Sequence, residues 1–311
     1  MQPLLCITPS PAIDRTARVE RIRLGEVMRP VEMLVLPGGK GVNAARAAMR
    51  LGATVITTGV AGGHAGRWIV EALAAEGLEP RFATATAESR TTYVTVDARG
   101  GSVIVYERPS AATESEFATF LRLLEDELLP PCGRAVVAGS VPAGIGGEGH
   151  VGIVEAARRA RRPLLVDASG EGLIGALAAK PDIVKVGRLE VVEAGLVAST
   201  ASSLQAALAL VERGAVLAIV TDGPRSVAAA DDLSTWRVEV PSVEAVNPVG
   251  SGDAFNAGFS LALMDGADVS AALAHGVAAG AANALALGGG MLDANVARGL
   301  EARVTVTVTR R

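Results

Sequence analysis

Short runs of β-branched and aliphatic residues alternate along the chain with segments of helical periodicity, and this alternation constrains the fold more than any other feature. Strands are predicted at Leu4–Thr8, Ala53–Thr58, Arg134–Ala138, Pro163–Asp167, Asp182–Val186 and Val216–Thr221. Helices are predicted near 41–51, 66–76, 114–129, 149–162, 171–179 and 202–213. Strands separated in this way form βαβ units. We therefore expect an α/β fold with a central, mostly parallel sheet and helices on both faces.

Two stretches, at about 15–36 and 91–107, do not fit this alternation. The segment TTYVTVDARGGSVIVY at 91–106 contains two alternating strands around a Gly-Gly turn, which is typical of a β-hairpin. A second alternating pair lies near Ala17–Ile22 and Val31–Leu36. We predict that both belong to a small β-sheet lid inserted into a single domain of residues 1–311. Because such a sheet would expose a face and an edge, we expect it to cover a cleft, a partner subunit, or both.

Composition excludes several classes of protein. The 311 residues carry a net charge of −4, which argues against nucleic acid and against a polybasic membrane contact. Two cysteines and three histidines exclude a disulfide scaffold and a His-rich metal site. The uncharged stretch 269–292 is rich in Ala and Gly, so we predict a buried helix and a glycine turn, not a membrane span. With no targeting segment apparent, we expect a cytoplasmic protein that contacts neither nucleic acid nor membrane.

The segment VNPVGSGDAFNAG at 246–258 carries the strongest chemical signal. A strand ends, a Gly-Ser-Gly turn follows, and a helix begins whose first N–H groups have no intrahelical partners. Such a helix start binds anions, and Asp253 lies in its first turn. A carboxylate would repel a phosphate that was merely bound there. It fits if it takes the proton from an alcohol that attacks the phosphate. The alternative is an ordinary N-cap, where Ser and Asp are also favoured.

A second segment, LPGGKGVNAAR at 36–46, also runs from a strand through glycines into a helix. A Walker A loop does not match, because Leu34 stands where its first glycine is required and Gly41 follows the lysine. A dinucleotide fingerprint lacks the ribose-binding acid, since no Asp or Glu occurs between Glu32 and Glu71. A substrate-binding loop is the remaining interpretation. In it, the glycines allow close approach and Asn43 offers both a donor and an acceptor.

Taken together, the two segments resemble the N-terminal GG and C-terminal GAGD signatures of the ribokinase-like (PfkB) carbohydrate kinases, with Ser251 replacing alanine in the second. The resemblance covers essentially the whole chain. It is greatest to the 1-phosphofructokinase and tagatose-6-phosphate kinase branch. ITPSPAIDRT near the start, AGSVPAG at 138–144 and VDASGEGL at 166–173 are similar to segments of that branch, and NPVGSGD is the form associated with tagatose-6-phosphate kinases.

The resemblance implies a role for each matching residue. Asp253 would be the catalytic base, and the anion hole would be formed by Gly250, Ser251 and Gly252. Substrate would be bound by Asp14, Arg29, Gly38, Gly39, Asn43, Arg90 and Ser140, with the two arginines holding a phosphate of the sugar. The ATP side of the site would be lined by Lys185, Thr221, Gly223 and Asn283. Glu190 would organise Mg²⁺, mainly through water.

The chain departs from the family pattern at two of these places. The family's K-P-N-x-x-E appears as Lys185-Val186-Gly187-Arg188-Leu189-Glu190, so the asparagine is missing and Gly187 offers only its backbone. Ser10 stands where asparagine is usual. The first departure bears on metal affinity more than on the fold, because phosphoryl transfer depends chiefly on electrostatics around Mg²⁺ and phosphate.

The resemblance therefore predicts an ATP-dependent kinase of a ketohexose phosphate, either tagatose 6-phosphate or fructose 1-phosphate. Two alternatives remain open. The first is a kinase of an unphosphorylated sugar or a nucleoside, and the second is a sugar-phosphate-binding protein without turnover. The lid insertions also predict a homodimer in which two lids pair. The sequence leaves undecided the sugar epimer, the preferred nucleotide, monovalent-ion activation and allosteric control.

Overall fold

The computed structural model describes residues 2–311, which form two β-sheets surrounded by helices. The strands are β1 (Leu4–Thr8), β2 (Ala12–Val19), β3 (Glu32–Gly38), β4 (Val55–Gly62), β5 (Glu79–Pro80), β6 (Ala83–Ala85), β7 (Arg90–Asp97), β8 (Ser102–Tyr106), β9 (Arg134–Ala138), β10 (Leu164–Asp167), β11 (Ile183–Gly187), β12 (Leu217–Thr221), β13 (Val227–Ala230), β14 (Ser234–Glu239) and β15 (Thr305–Arg310).

The helices alternate with the strands of the large sheet. They are α1 (Lys40–Arg50), α2 (Gly63–Ala75), α3 (Glu114–Leu123, continued by a π-helical turn over Leu124–Leu128), α4 (Glu148–Arg159), α5 (Gly170–Ala178), α6 (Arg188–Glu193), α7 (Ser203–Glu212), α8 (Ser251–Met264), α9 (Val269–Asn283) and α10 (Ala294–Glu301). None of the helices within 2–311 is long and apolar enough to cross a bilayer.

The large sheet has the order β15-β14-β13-β12-β11-β10-β9-β1-β4-β5, with β6 paired to β4. All pairs from β4 across to β12 are parallel, and β12 to β15 are antiparallel. β1, β4 and β10 are buried along their whole lengths, as expected for parallel strands covered on both faces. The predicted α/β architecture is confirmed, and the carboxyl ends of these strands meet at one edge, where ligands bind in such folds.

One face of the sheet is covered by α8 and α9, which pack closely because glycines lie at their contact. A Cβ at Gly258 would lie 2.9 Å from the Ala279 Cβ, and one at Gly276 would lie 3.0 Å from the Phe255 ring. This tight packing leaves no room for larger side chains and explains why the uncharged stretch 269–292 is rich in Ala and Gly. The predicted buried helix is confirmed as α9, and glycine turns follow it.

The small sheet, which we call the lid, has the order β3-β2-β7-β8. The predicted hairpin is present, since β7 and β8 are antiparallel and Tyr93 pairs with Val105. The prediction of a strand at Ala17–Ile22 was wrong in its bounds. The strand is β2, which begins at Ala12 because Asp14 and its neighbours pair with both β3 and β7. The inner face of the lid covers the carboxyl edge of the large sheet.

Candidate active site

A cavity of about 390 Å³ lies between the lid and the carboxyl edge of the large sheet. Its walls come from six parts of the chain: the lid, the end of β1, the start of α1, the ends of β9 to β11, the start of α8 with the loop before it, and the glycine turn after α9. The predicted site residues among those that line it are Asp14, Gly39, Asn43, Arg90, Ser140, Lys185, Glu190, Gly250, Gly252 and Asp253. The fold thus brings together most of the residues that were predicted to act together, although they are distant in sequence.

Asp253 is a buried carboxylate in the first turn of α8, with only 6% of its surface exposed. Asn43, from α1, donates a hydrogen bond from Nδ2 to Asp253 Oδ2 over 2.9 Å. Burial, assisted by the nearby charge of Asp167, raises the pKa of Asp253 to about 6, although Lys40 and the Asn43 bond act in the opposite direction. A carboxylate with that pKa is ionised at neutral pH and accepts a proton more readily than an ordinary aspartate.

The turn before Asp253 is shaped by glycines in a way that other residues could not reproduce. Gly250 has a left-handed backbone with φ of 86°, and a Cβ there would lie 2.7 Å from the Gly289 Cα. A Cβ at Gly252 would lie 2.6 Å from Lys185 Nζ. The N–H groups that open α8 therefore lie next to a lysine ammonium. Together they form an electropositive pocket suited to a phosphoryl group.

Asn283 supports this turn from behind and does not line the cavities described here. Its Nδ2 donates to the Val249 carbonyl over 3.0 Å, and its Oδ1 accepts from the Gly290 N–H over 2.7 Å. The residue is fully buried. The structure thus places Asn283 as a bridge between the loop before α8 and the glycine turn after α9, whereas the resemblance implied a position lining ATP.

On the side of the lid, the cavity is lined by Asp14, in β2. The Thr92 hydroxyl donates a hydrogen bond to Asp14 Oδ1, and burial raises the pKa of Asp14. A Cβ at Gly38 would lie 2.0 Å from the Asp14 Cγ, and Gly39 has φ of 105° with Thr8 close to its missing side chain. Because Gly38 has no side chain, the Asp14 carboxylate packs directly against the backbone. The lone pairs that this carboxylate has left can accept hydrogen bonds from sugar hydroxyls.

Arg90 reaches the same cavity from the start of β7. Its Nη1 donates to the Glu107 carbonyl over 3.1 Å and its Nη2 to the Ser10 carbonyl over 3.4 Å. Its Nε is buried and has no hydrogen-bond partner within residues 2–311. Arg29 differs, because it is exposed on the loop between β2 and β3 and is absent from the cavity wall. Of the two predicted phosphate-binding arginines, the structure brings one to the cavity of its own chain.

A network of charges that the sequence analysis did not predict crosses the floor of the cavity. Asp167, 1% exposed at the end of β10, receives Lys40 Nζ on one oxygen over 2.9 Å and Lys185 Nζ on the other over 2.8 Å. Asn256 adds a third donor over 2.9 Å. These partners hold the pKa of Asp167 well below its ordinary range, even though burial alone would raise it.

Lys40 links this network to Glu190, since its Nζ also lies 3.2 Å from Glu190 Oε1. Burial alone would lower the pKa of Lys40, but the two carboxylates outweigh it and raise the pKa above its ordinary value. Two of the three lysines in the whole chain therefore converge on one buried carboxylate. The scarcity of lysine, which favours a role for Lys185, therefore favours one for Lys40 as well.

A second cavity, of about 410 Å³, adjoins the first and shares Gly252 with it. It is lined by Thr221 and Gly223, two of the residues that the resemblance assigns to ATP, and by apolar residues that include Val240, Val243, Phe255 and Val277. Its apolar walls suit a nucleotide base. Lys185 lies in the first cavity, at the boundary between the two, so a nucleotide in the second would point its phosphates towards Lys185 and the start of α8.

The residues around Glu190 offer few ligands to a metal ion. Within 2–311, no group of three or more His, Cys, Asp and Glu side chains is placed to hold one. Glu190 accepts the Gly187 N–H over 2.8 Å and is 30% exposed at the cavity wall. In phosphoryl-transfer sites, Mg²⁺ keeps several waters and is held by one or two carboxylates together with phosphate oxygens. This donor set fits such an ion and does not fit an all-protein cage.

The geometry defines a class of protein. A buried carboxylate at a glycine-rich helix start, between a polar cavity under a lid and an apolar cavity, is typical of a kinase that phosphorylates an alcohol. Residues 3–294 match the pfkB family carbohydrate kinase, and the chain belongs to that family. The resemblance noted in the sequence is thereby confirmed at the level of the family. Its members, as kinases, take the phosphoryl group from ATP.

Solved structures with the same fold cover nearly the whole chain. Phosphofructokinase-2 from Escherichia coli, in complex with fructose-6-phosphate, is 25% identical over 97% of this chain and 99% of that chain, with a TM-score of 0.85. The tetrameric inhibited form of that protein is 26% identical over the same shares, with a TM-score of 0.86. A protein described as a possible 1-phosphofructokinase from Thermotoga maritima is 22% identical, covers 98% and 99%, and has a TM-score of 0.89.

Proposed function

We propose that this protein is a sugar-phosphate kinase that transfers the γ-phosphoryl group of ATP to a hydroxyl of a ketohexose phosphate, either tagatose 6-phosphate or fructose 1-phosphate. The observation that carries the proposal is the pairing of Asp253 and Arg90 in one cavity. Asp253 supplies a base for the attacking alcohol. Arg90 supplies a cation at the lid, which an acceptor without a phosphate does not need.

In the proposed reaction, Asp253 takes the proton of the acceptor hydroxyl as that oxygen attacks the γ-phosphorus. The N–H groups of Ser251 and Gly252 and the ammonium of Lys185 stabilise charge on the transferred oxygens. Asp14 holds other hydroxyls of the sugar, so that the reacting one faces the phosphate. Lid closure excludes water that would otherwise hydrolyse ATP.

Mg²⁺ would neutralise part of the phosphate charge in this reaction, and Glu190 would hold it, mainly through water. Gly187 stands where the family has an asparagine, and its N–H is bonded to Glu190 Oε2. That bond fixes one oxygen of the carboxylate. The other oxygen faces Lys40, so the ammonium and the metal would share this acid.

Recognition of the acceptor phosphate is proposed for Arg90. Nη1 and Nη2 each donate one N–H to a carbonyl group, and these bonds fix the guanidinium at the cavity wall while a second N–H on each nitrogen is left for a ligand. A rigid arginine suits phosphate oxygens through charge-assisted hydrogen bonds. The fructose-6-phosphate complex of the E. coli protein shows that a chain of this fold accommodates a sugar phosphate.

The test is a panel of acceptors combined with an arginine variant. ATP consumption is measured with tagatose 6-phosphate, fructose 1-phosphate, fructose 6-phosphate, ribose and adenosine. Arg90→Ala is expected to raise KM for the preferred sugar phosphate by about 10- to 100-fold, the worth of a charge-assisted hydrogen bond, and to leave KM for ATP almost unchanged. Arg99→Ala, on the exposed turn of the lid hairpin, is the matched control.

Two results would contradict the proposal. Preference for ribose, free fructose or a nucleoside, together with a silent Arg90→Ala, would make this a kinase of an unphosphorylated acceptor. ATP consumption unaffected by every acceptor would indicate a binding protein without turnover. Arg29→Ala tests the second predicted cation separately, and an unchanged KM would remove Arg29 from the site.

We further propose that two chains pair through their lids. β8 is an edge strand whose residues are all exposed, including Ile104 (43%) and Tyr106 (58%) on the inner face and Val105 (56%) on the outer face. A second lid would cover this edge and both apolar faces. The E. coli protein is described in a tetrameric form, so chains of this fold do associate.

A further inference from the structure

Arg46 is a buried arginine in the middle of α1 whose charge the fold alone does not require. It is 2% exposed, although it lies on a helix that could have buried an aliphatic side chain at the same place. Ion pairs buried in this way are commonly no more stabilising than an apolar replacement. The contacts of its guanidinium indicate what such a buried charge contributes to the site.

All five N–H donors of Arg46 are used. Nε and Nη2 bind the Glu76 carboxylate over 2.6 and 3.0 Å. Nη2 also donates to the Pro37 carbonyl over 2.6 Å. Nη1 donates to the Gly289 carbonyl over 2.9 Å and to the Asn43 Oδ1 over 3.3 Å.

We propose that Arg46 is a positioning residue for the phosphoryl transfer. It fixes the orientation of the Asn43 amide against Asp253. It also connects Asp253, through Asn43, to the end of β3 in the lid and to the glycine turn next to the anion hole. This inference rests on the proposed function. It adds a residue that does not touch substrate and acts through Asn43.

The orientation of Asn43 follows from which groups can donate. A guanidinium has only donors, so the amide must turn its oxygen towards Arg46. Its NH₂ then points to Asp253, where a carboxylate can only accept. Without Arg46, the amide could rotate and present its oxygen to Asp253. The hydrogen bond would become a repulsion between two acceptors.

The same guanidinium joins two other parts of the site. Pro37 precedes Gly38, against which Asp14 packs so closely that a Cβ would overlap the carboxylate. On the other side, a Cβ at Gly289 would lie 2.8 Å from the Asn43 amide, while the Gly289 Cα lies where a Cβ on Gly250 would collide. Arg46 thus fixes the positions of Asp14, Asp253 and the turn at Gly250 relative to one another.

A lysine could not replace it. Lysine carries the same charge but has three donors on a single nitrogen, whereas these four acceptor groups lie around a planar fork. We therefore expect Arg46→Lys to behave much more like the loss of Arg46 than like the wild type. The Arg46→Lys variant thus distinguishes whether the site needs the planar geometry of the guanidinium or only its positive charge.

The first measurement is direct and needs no sugar. The pKa of Asp253 is followed in the free enzyme by ¹³C NMR of labelled aspartate carboxyls, with Asp253→Asn used to assign the resonance. Arg46→Met is expected to raise that pKa by about one unit, since both the oriented donor and a nearby cation are lost. The other charged groups around Asp253 are Asp167, Lys40 and Lys185, and this substitution leaves them in place.

The second measurement is kinetic. Arg46→Met is expected to lower kcat about tenfold or more and to shift the acid limb of its pH profile upwards, while KM for ATP changes by about twofold at most. Glu76→Gln is the matched control. It removes the charge on the other side of the guanidinium and still leaves an oxygen to accept, so the acid limb should not move.

Rescue distinguishes positioning from packing. In Arg46→Ala, added guanidinium ion should restore the acid limb and part of kcat, because it can bind between Asn43 and Gly289. An unmoved Asp253 pKa in Arg46→Met, or an equal shift in Glu76→Gln, would overturn the proposal. If Arg46→Met does not fold, the Arg46→Ala variant with guanidinium decides the question in its place. Failure of the sugar-phosphate assignment would leave the NMR result intact, so the two failures are distinguishable.

Discussion

At the scale of single residues, the main feature of the site is the carboxylate of Asp253, which lies where burial makes its ionised form unfavourable. Asp253 is buried and faces Asp167, and its pKa is raised to about 6 for these reasons. Asn43 offsets part of that cost with one hydrogen bond. A base of this kind is strong enough to take a proton from an alcohol and remains ionised at neutral pH.

Replacing Asp253, the proposed base, should remove most of the turnover without disturbing the fold. Asp253→Asn preserves shape, and its amide can still accept the hydrogen bond from Asn43, but it cannot take a proton. We expect kcat to fall by about 10²- to 10⁴-fold, with ATP affinity nearly unchanged, as measured by steady-state kinetics and calorimetric titration. A variant with near-normal kcat would show that another group is the base.

The same substitution should stabilise the folded protein at neutral pH. Because the pKa of Asp253 is higher in the folded chain than in the unfolded chain, the folded state binds more protons between about pH 4 and 6 and loses stability as pH rises through that window. Removing the charge should therefore raise the free energy of unfolding by about 2–3 kcal/mol at pH 8. This increase in the free energy of unfolding should become smaller as pH falls below 6. Chemical denaturation of both proteins at pH 5 and at pH 8 measures it. An equal increase at the two pH values would contradict the prediction.

At the scale of elements, the sequence predicted best where one pattern had one structural meaning. The parallel strands β9 to β12 and the hairpin of β7 and β8 lie within a residue or two of their predicted bounds. Prediction from the sequence failed where the bounds of a strand depend on its pairing with neighbouring strands. β13 is the short segment VAAA, which has no alternation to read, and β2 extends towards Ala12 only because two partner strands flank it.

The site shows the same division. Glycine turns and Asp253 could be predicted because their residue types are unusual at a strand–helix junction. The contact of Lys40 with Asp167 and that of Arg46 with the Gly289 carbonyl could not, since each joins positions more than 120 residues apart in the chain. Such contacts depend on the order of the strands in the sheet, which local patterns do not specify.

The junction of β3 with α1 should be sensitive to a single methyl group. A Cβ at Gly38 would lie 2.0 Å from the Asp14 Cγ, so Gly38→Ala must displace that carboxylate from Thr92. We expect KM for the acceptor to rise about tenfold or more and KM for ATP to stay nearly constant. Gly299→Ala, where nothing lies within 4 Å of the added methyl, is the control. Equal acceptor KM values in the two variants would remove Asp14 from acceptor binding.

At the scale of the whole molecule, the fold divides the work between two sheets. The large sheet gathers Asp167, Lys185 and the start of α8 at one edge, and its rigidity comes from burial on both faces. The lid contributes Asp14 and Arg90 from strands that are covered on one side only. The lid therefore closes the cavity on the side opposite the large sheet, which suits a reaction that must exclude water.

The exposed edge of the lid leads to the last prediction, which concerns assembly. Val105 is 56% exposed on the outer face of β8, so Val105→Lys should place a charge in a lid–lid contact and convert a dimer to monomer. Leu233→Lys is the control, because Leu233 is 75% exposed on the turn between β13 and β14, outside the lid. Sedimentation velocity at micromolar concentration should show a dimer for the wild type and for Leu233→Lys, and a monomer for Val105→Lys. A wild type that sediments only as a monomer would contradict the pairing, and a dimer that survives Val105→Lys would place the interface elsewhere.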